Sequence, residues 1–437
     1  MPPESAFRKK TYRLRAAILS LAVPALLTTV IPYPVQAQAP AAKTEVRQTP
    51  AIRNKVYEHL SAAQLAAENS QYAEALATLD ALLARSGKKA LNSYERANTY
   101  NLYAFVHYAQ DQPEKALTAY QNVVQQANIP LALEASTRYT IAQLLMSMDR
   151  WQQGIDELNR WFQLTDTASA SAHVLRGQAY YQVQNYPNAR QDLETAIRLY
   201  KQKGKQPKEH WLSLLRYLYQ EQGLIPETIA TLEELLTLYP KKDYWLQLSY
   251  IYGETGNEKK QLAALESVYV QGLLERESEL VNLAYLYLNA DTPAKSATLL
   301  ESALQSQRVQ PTSRNLELLA SAWQQAREID KALPYMIQAA EKSETGELWV
   351  RVGNLYLDKE QFKDAIAALN KGLNRGRVKR SDNANLALGI AYFQTQAFDK
   401  ARKAFLQAHK DKRSQKAASQ WLAFMDKEMA RLQALTL

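Results

Sequence analysis

The chain has 437 residues, with 53 Lys and Arg against 44 Asp and Glu, a formal net charge of +9 and no cysteine. The missing thiols exclude disulfide staples, zinc–thiolate sites and lipid attachment through an N-terminal cysteine. A mild positive balance over this length suits an envelope protein near anionic surfaces and does not indicate nucleic-acid binding, which needs a concentrated basic stripe.

The first element is a leader. Arg8, Lys9, Lys10, Arg13 and Arg15 precede an apolar stretch from Ala16 to Ile31, and the small pairs Val35/Ala37 and Ala37/Ala39 offer cleavage sites. Residues 1–37 therefore read as a secretory signal peptide, with a mature chain that begins at Gln38 or Pro40 in a Gram-negative periplasm. An uncleaved anchor is the competing reading. Pro24, Thr28, Thr29, Pro32 and Pro34 interrupt the apolar run, whereas a spanning helix wants about 20 predominantly apolar residues. No stable membrane insertion is expected after cleavage.

Residues 38–52, with Pro40 and Pro50, read as a flexible leader to the fold. From Val56 onward Leu, Ala, Gln, Glu and Lys dominate, and no segment alternates with the period of a strand. Breaks fall at Gly87, Pro130, Gly204 to Pro207, Pro240 and Pro311. Small residues recur at Ala75, Ala116, Gly154, Ala189, Ser296, Ala332, Ala365 and Ala401, each with an apolar residue four positions on. With Thr228 and Gln261 filling the gap, consecutive members lie 33 to 41 residues apart. A period of that size predicts stacked helical units.

The clearest unit reads Trp349, Val352, Gly353, Tyr356, Phe362, Ala365, Leu369, and the next Leu388, Gly389, Tyr392, Phe398, Ala401, Phe405, Ala408. This pattern resembles the tetratricopeptide repeat (TPR) family. The resemblance implies an all-α, right-handed superhelical solenoid of about ten helix-turn-helix repeats over residues 53–413. Residues 414–437 form a capping helix, with Ala418, Leu422, Met425 and Met429 inward and Gln420, Lys427, Glu428 and Arg431 toward water.

Projected along the chain, the repeats begin near Val56, Ala97, Ala135, Ala170, Glu209, Lys242, Glu277, Ser313, Gly346 and Asp382. The position where the first helix crosses the second is then Ala63, Ala104, Ala142, Gly177, Arg216, Ser249, Ala284, Ala320, Gly353 and Gly389. Arg216, Thr228 and Gln261 are bulky where small residues belong, so the poorest repeat geometry is expected from Arg216 to Gln261. The Lys-rich connection from Lys201 to Lys208 reads as a solvated loop.

Nothing in the sequence assembles chemistry. His59, His107, His173, His210 and His409 fall in different repeats without metal-ligand spacing, and no phosphate loop, nucleophile elbow or metalloprotease motif occurs. No catalysis, cofactor, metal or nucleic-acid partner is expected.

In the family the first helix of each repeat lines a concave groove. The inward register implies a partner-binding set of Asn101, Phe105, Tyr108, Tyr139, Gln143, Gln178, Tyr181, Tyr217, Tyr250, Tyr285 and Asn354. Amides pair with an extended main chain and rings cover apolar side chains at low entropic cost. The equivalent Tyr217, Tyr250 and Tyr285 suggest an aromatic track. The Lys/Asn clamp by which cytosolic relatives hold a terminal carboxylate is missing, so an acidic chaperone tail is not the expected ligand.

The expected function is a periplasmic scaffold that holds a protein or peptide segment of an envelope complex. Chain organisation also resembles the repeat proteins encoded with TonB–ExbB–ExbD systems, which implies a TonB-type energy transducer as partner. The alternative is a factor for outer-membrane, cell-wall or polysaccharide assembly that handles client chains or glycans.

Overall fold

The computed structural model describes Arg47, residues 49–165 and residues 168–435. The signal peptide predicted over 1–37 lies outside them, as does most of the predicted leader over 38–52. The described residues form helices and turns with no strand. They divide into two compact units at Thr231/Leu232, within one helix.

The first unit holds α1 (Asn54–Glu68), α2 (Tyr72–Leu83), α3 (Ser93–Ala109), α4 (Pro113–Val124), α5 (Leu131–Ser147), α6 (Trp151–Leu164), α7 (Ala170–Gln182), α8 (Tyr186–Gln202) and α9 (Glu209–Glu221). The boundary falls inside α10 (Ile225–Leu238). The second unit holds α11 (Lys242–Glu254), α12 (Glu258–Val270), α13 (Glu277–Asn289), α14 (Pro293–Gln305), α15 (Ser313–Gln325) and α16 (Ile329–Lys342). It closes with α17 (Glu347–Asp358), α18 (Phe362–Arg375), α19 (Ser381–Gln394), α20 (Phe398–His409) and α21 (Gln415–Leu435).

The predicted pairing is observed. Five first helices begin at the predicted residue, Ala170, Glu209, Lys242, Glu277 and Ser313. Two others, α3 and α5, start four residues early, and at α3 a capping box lies upstream. Asn92 accepts from the Glu95 backbone N–H at 2.8 Å, and the Glu95 carboxylate accepts from the Asn92 N–H at 3.0 Å.

Two small positions, twelve residues apart in eight of the ten repeats, explain why those pairs close. Ala63, Ala104, Ala142, Ala284 and Ala320 on first helices are fully buried, as are Ala75, Ala116, Ala189, Ala332, Ala365 and Ala401 on second helices. A methyl group added at Gly177 would lie 3.1 Å from the Ala189 carbonyl oxygen, and one at Gly154 would lie 3.3 Å from that of Ala142. Backbones this close admit no larger side chain.

Within the span from Arg216 to Gln261, where distortion is expected, α11 and α12 close as a regular pair despite Gln261. The Ser249 hydroxyl donates to the Gln261 carbonyl at 3.0 Å, matching the bridge from Ser296 to the Ala284 carbonyl at 2.9 Å in a regular pair. The Gln261 side chain fits because Gly253 leaves it room; a methyl at Gly253 would lie 2.6 Å from its Nε2. The Thr228 hydroxyl donates to the Leu224 carbonyl at 2.8 Å, so its buried polar atom stays satisfied. Arg216 donates to Gln220 at 2.7 Å along its own helix.

Each turn within a pair is made by one residue in the left-handed region, seven positions after the crossing residue. These are Ser70, Asp111, Asp149, Gln184, Gly223, Gly256, Asp291, Arg327, Glu360 and Gln396. A left-handed residue ends a helix because it turns the next N–H back onto the last carbonyls. Glycine, which takes this conformation without strain, occupies it only in the fifth and sixth repeats, beside the bulky crossing residues.

The last face is covered as predicted. Ala418 and Met425 of α21 are buried, and Trp421 stacks on buried Phe405 with centroids 5.7 Å apart. At the other end, Arg53 binds buried Glu95 through Nε at 2.9 Å and Nη2 at 2.6 Å, and Arg47 reaches Glu134 at 2.8 Å. Burial raises the Glu95 pKa, but bonds from Arg53 and the Asn92 backbone outweigh it, so the carboxyl titrates below its ordinary value. Among the described residues no helix is long and apolar enough to cross a membrane.

Candidate partner-binding face

The ninth position of a repeat follows the crossing residue directly. Helical geometry turns it about 100° from that packed contact, which is why accessible residues alternate with buried ones on the first helices. None of the eleven candidates is buried. Tyr108, Tyr250 and Tyr285 are exposed, and Asn101, Phe105, Tyr139, Gln143, Gln178, Tyr181, Tyr217 and Asn354 are half-buried.

In the first unit the structure brings two of them together. Tyr181 meets Tyr217 edge-on at 5.7 Å, and both meet Tyr186 at the start of α8, at 6.1 and 6.4 Å. Burial, with Glu221 and neighbouring phenols added, raises the pKa of Tyr181 and Tyr217, so their hydroxyls remain neutral donors at physiological pH. Further along, Tyr139 packs on Trp161 at 5.4 Å, Trp161 on Phe162 at 5.1 Å and Phe162 on His173 at 4.7 Å. Arg176 lies over the Phe162 ring at 3.9 Å and donates to Asp192 at 2.7 and 2.8 Å. His173 bonds the same carboxylate at 2.7 Å. This buried Asp192 is fully engaged by Arg176 and His173 and offers no free base.

The second unit carries Tyr250, Tyr285 and Asn354. Tyr250 is 61% exposed and donates to Glu254 at 2.5 Å, which raises its pKa. Arg351 spans two first helices, donating to Glu317 at 2.6 Å and to Ser321 at 3.0 Å. Tyr217 belongs to the first unit, and Tyr250 and Tyr285 to the second.

Projection of the first-helix register missed Tyr186, Trp161 and Phe162, because they lie on second helices. The signal for Tyr186 was its place five residues after Tyr181, across a turn only three residues long between α7 and α8. Among the described residues no group of three His, Asp or Glu is arranged to hold a metal ion.

A tetratricopeptide repeat family model matches residues 174–243 and 350–418. The first spans α7 to the start of α11 and the second α17 to the start of α21; the second holds two pairs with small crossing positions, and the first holds one, α7–α8, followed by α9 and α10 with Arg216 and Thr228 there. No curated protein matches the chain. Solved structures that resemble it include MamA, with 18% identity over 39% of this chain and 90% of its own, at a TM-score of 0.34. Another is YrrB, described as a TPR protein with an unusual peptide-binding site, with 12% identity over 43% and 97% at 0.35. A third is the TPR2AB domain of yeast Sti1 in complex with an Hsp90 peptide, with 16% identity over 61% and 98% at 0.33. Likeness at this level identifies neither a partner nor a binding face.

Proposed function

We propose that this repeat protein is a non-enzymatic scaffold that holds an extended protein or peptide segment on its first-helix faces. The observation that carries this reading is the accessibility of all eleven candidate residues, seven of them directly beside a buried residue. Neutral Tyr, Asn and Gln side chains supply donors and acceptors for a main chain, and the Tyr181–Tyr186–Tyr217 cluster supplies an apolar anchor. The basic leader with its broken apolar run supports a periplasmic location. In that compartment we assign the partner to an envelope complex, with the periplasmic part of a TonB-type transducer as the first to test.

A photo-crosslinking residue placed at Tyr181, Tyr217, Tyr250 or Tyr285 in intact cells should trap one defined protein, while placement at exposed Lys115 or Lys259 should not. Adducts of equal yield at both sets of positions would move the site off the first helices. A ladder of many outer-membrane clients would favour an assembly factor instead. Recovery of the chain in the membrane pellet with Met1 intact would refute the cleaved leader.

A further inference from the structure

The mean charge conceals a concentration. From Lys371 to Lys416 there are twelve Lys and Arg against three Asp, which is +9, the net charge of the whole chain. The remaining 41 Lys and Arg cancel against 41 Asp and Glu. The α18–α19 loop and the α20–α21 turn bring much of this charge to one edge of the second unit, because both fasten to buried Asp382. Arg380 donates to Asp382 at 3.0 and 2.9 Å, Arg413 at 3.4 Å and the Ser414 hydroxyl at 2.6 Å. With Asp382 and Asp411 so occupied, Lys379, Lys410, Lys412 and Lys416 are exposed and form no ion pair among the described residues. On the outer face of α20, Leu406 is 48% exposed, with Lys403 three residues before it and Lys410 four residues after.

We propose that this edge docks on a bilayer bearing anionic phospholipids, the free lysines meeting headgroup phosphates and Leu406 entering between headgroups. Flexible ammonium groups on exposed turns match the diffuse charge of a lipid surface, and an apolar residue flanked by lysines suits its interface. Nucleic acid fits less well. Neither loop, 375–382 or 409–416, contains a Phe, Tyr or Trp on which a base would stack.

The test is vesicle co-sedimentation of the full chain, so that any binding by residues 1–37 is common to every sample. Vesicles of phosphatidylcholine alone are compared with vesicles containing about one quarter phosphatidylglycerol. The expected result is binding to the anionic vesicles only, weakened by salt, and reduced at least about tenfold by Lys379→Gln, Lys410→Gln, Lys412→Gln and Lys416→Gln together. Lys88→Gln, Lys89→Gln, Lys115→Gln and Lys203→Gln together should leave it unchanged, with circular dichroism identical for all three proteins. Equal binding to both vesicle types, or full binding by the first variant, would overturn the proposal. So would a single-stranded oligonucleotide that binds the same lysines more tightly than the vesicles do.

Discussion

Gly353 and Gly253 lie in the same unit and both face a second helix, yet a methyl group at each should act oppositely. Added at Gly353, Cβ would lie 2.5 Å from Leu369 Cγ and 2.8 Å from Cδ2, and Leu369 is wholly buried and unable to swing away. Gly→Ala in a helix interior gains about 1 kcal/mol of propensity, while overpacking a closed core costs about 1–3 kcal/mol. The net expectation for Gly353→Ala is a loss of about 1–2 kcal/mol. At Gly253 the obstruction is the flexible end of a half-buried Gln261, 2.6 Å away. It moves cheaply, so Gly253→Ala should be neutral or stabilise by up to about 1 kcal/mol. Leu369→Ala removes the atoms that Gly353→Ala strikes, so in that background the glycine substitution should turn favourable, giving a coupling of about 1–3 kcal/mol. Urea unfolding followed by circular dichroism reads all four corners of the cycle. Equal effects at the two glycines, or a coupling under about 0.5 kcal/mol, would refute the assigned helix crossing.

Glu95→Gln should cost about 1–3 kcal/mol near neutral pH, because the bonds from Arg53 lose their charged acceptor. The folded-state pKa lies below 4.5, so the wild-type advantage should be full above that value and shrink as the pH falls through and below it; thermal melts across pH check the direction. Gly256→Ala should lower stability by about 1 kcal/mol, since only glycine takes its φ of 71° without strain, and Gln184→Gly, at a φ of 59°, should not lower it. Gly346→Ala should be worse than either, because the added carbon would lie 1.9 Å from the Gly372 carbonyl oxygen, an atom no rotamer can move; a thermal melt matching wild type would contradict that approach.

The helix pairs were legible in the sequence because one physical demand recurs. Two backbones must touch once per repeat, so a small residue is forced at two positions twelve apart, and Ala63 with Ala75 obeys the same rule as Gly389 with Ala401. Where that rule is broken the compensation lies elsewhere, as Gly253 lies opposite Gln261, four residues beyond the expected crossing at Ser249. A search for small residues at fixed positions therefore predicted distortion at Gln261, where α11 and α12 form an ordinary pair. The left-handed stops were invisible for a related reason. Eight of the ten are not glycine, so position in the repeat selects them and residue type does not.

The proposed binding face follows the opposite logic. Residues there are accessible because packing constrains them little, so outside Tyr217, Tyr250 and Tyr285 their type varies between repeats, and only their place in the helix register reveals them. Tyr217 was proposed by that route; Tyr186, whose ring meets it across the turn, was not, because it belongs to a second helix. Charge is harder still to read from a mean. A value of +9 over 437 residues looks mild, but the structure fastens the loop carrying Arg380 to the turn carrying Arg413 through one carboxylate, Asp382. That carboxylate is held well below the ordinary range, first by Arg380, against the cost of burial, and then by Ser414. It therefore stays ionised and keeps the two cationic segments side by side at any physiological pH. Asp382→Asn should separate the two jobs of this residue. If Asp382 only balances charge, anionic vesicles should bind more tightly and the melt should not move. If it also holds the edge together, thermal stability and vesicle binding should fall together, and that is the outcome its burial and three side-chain partners support.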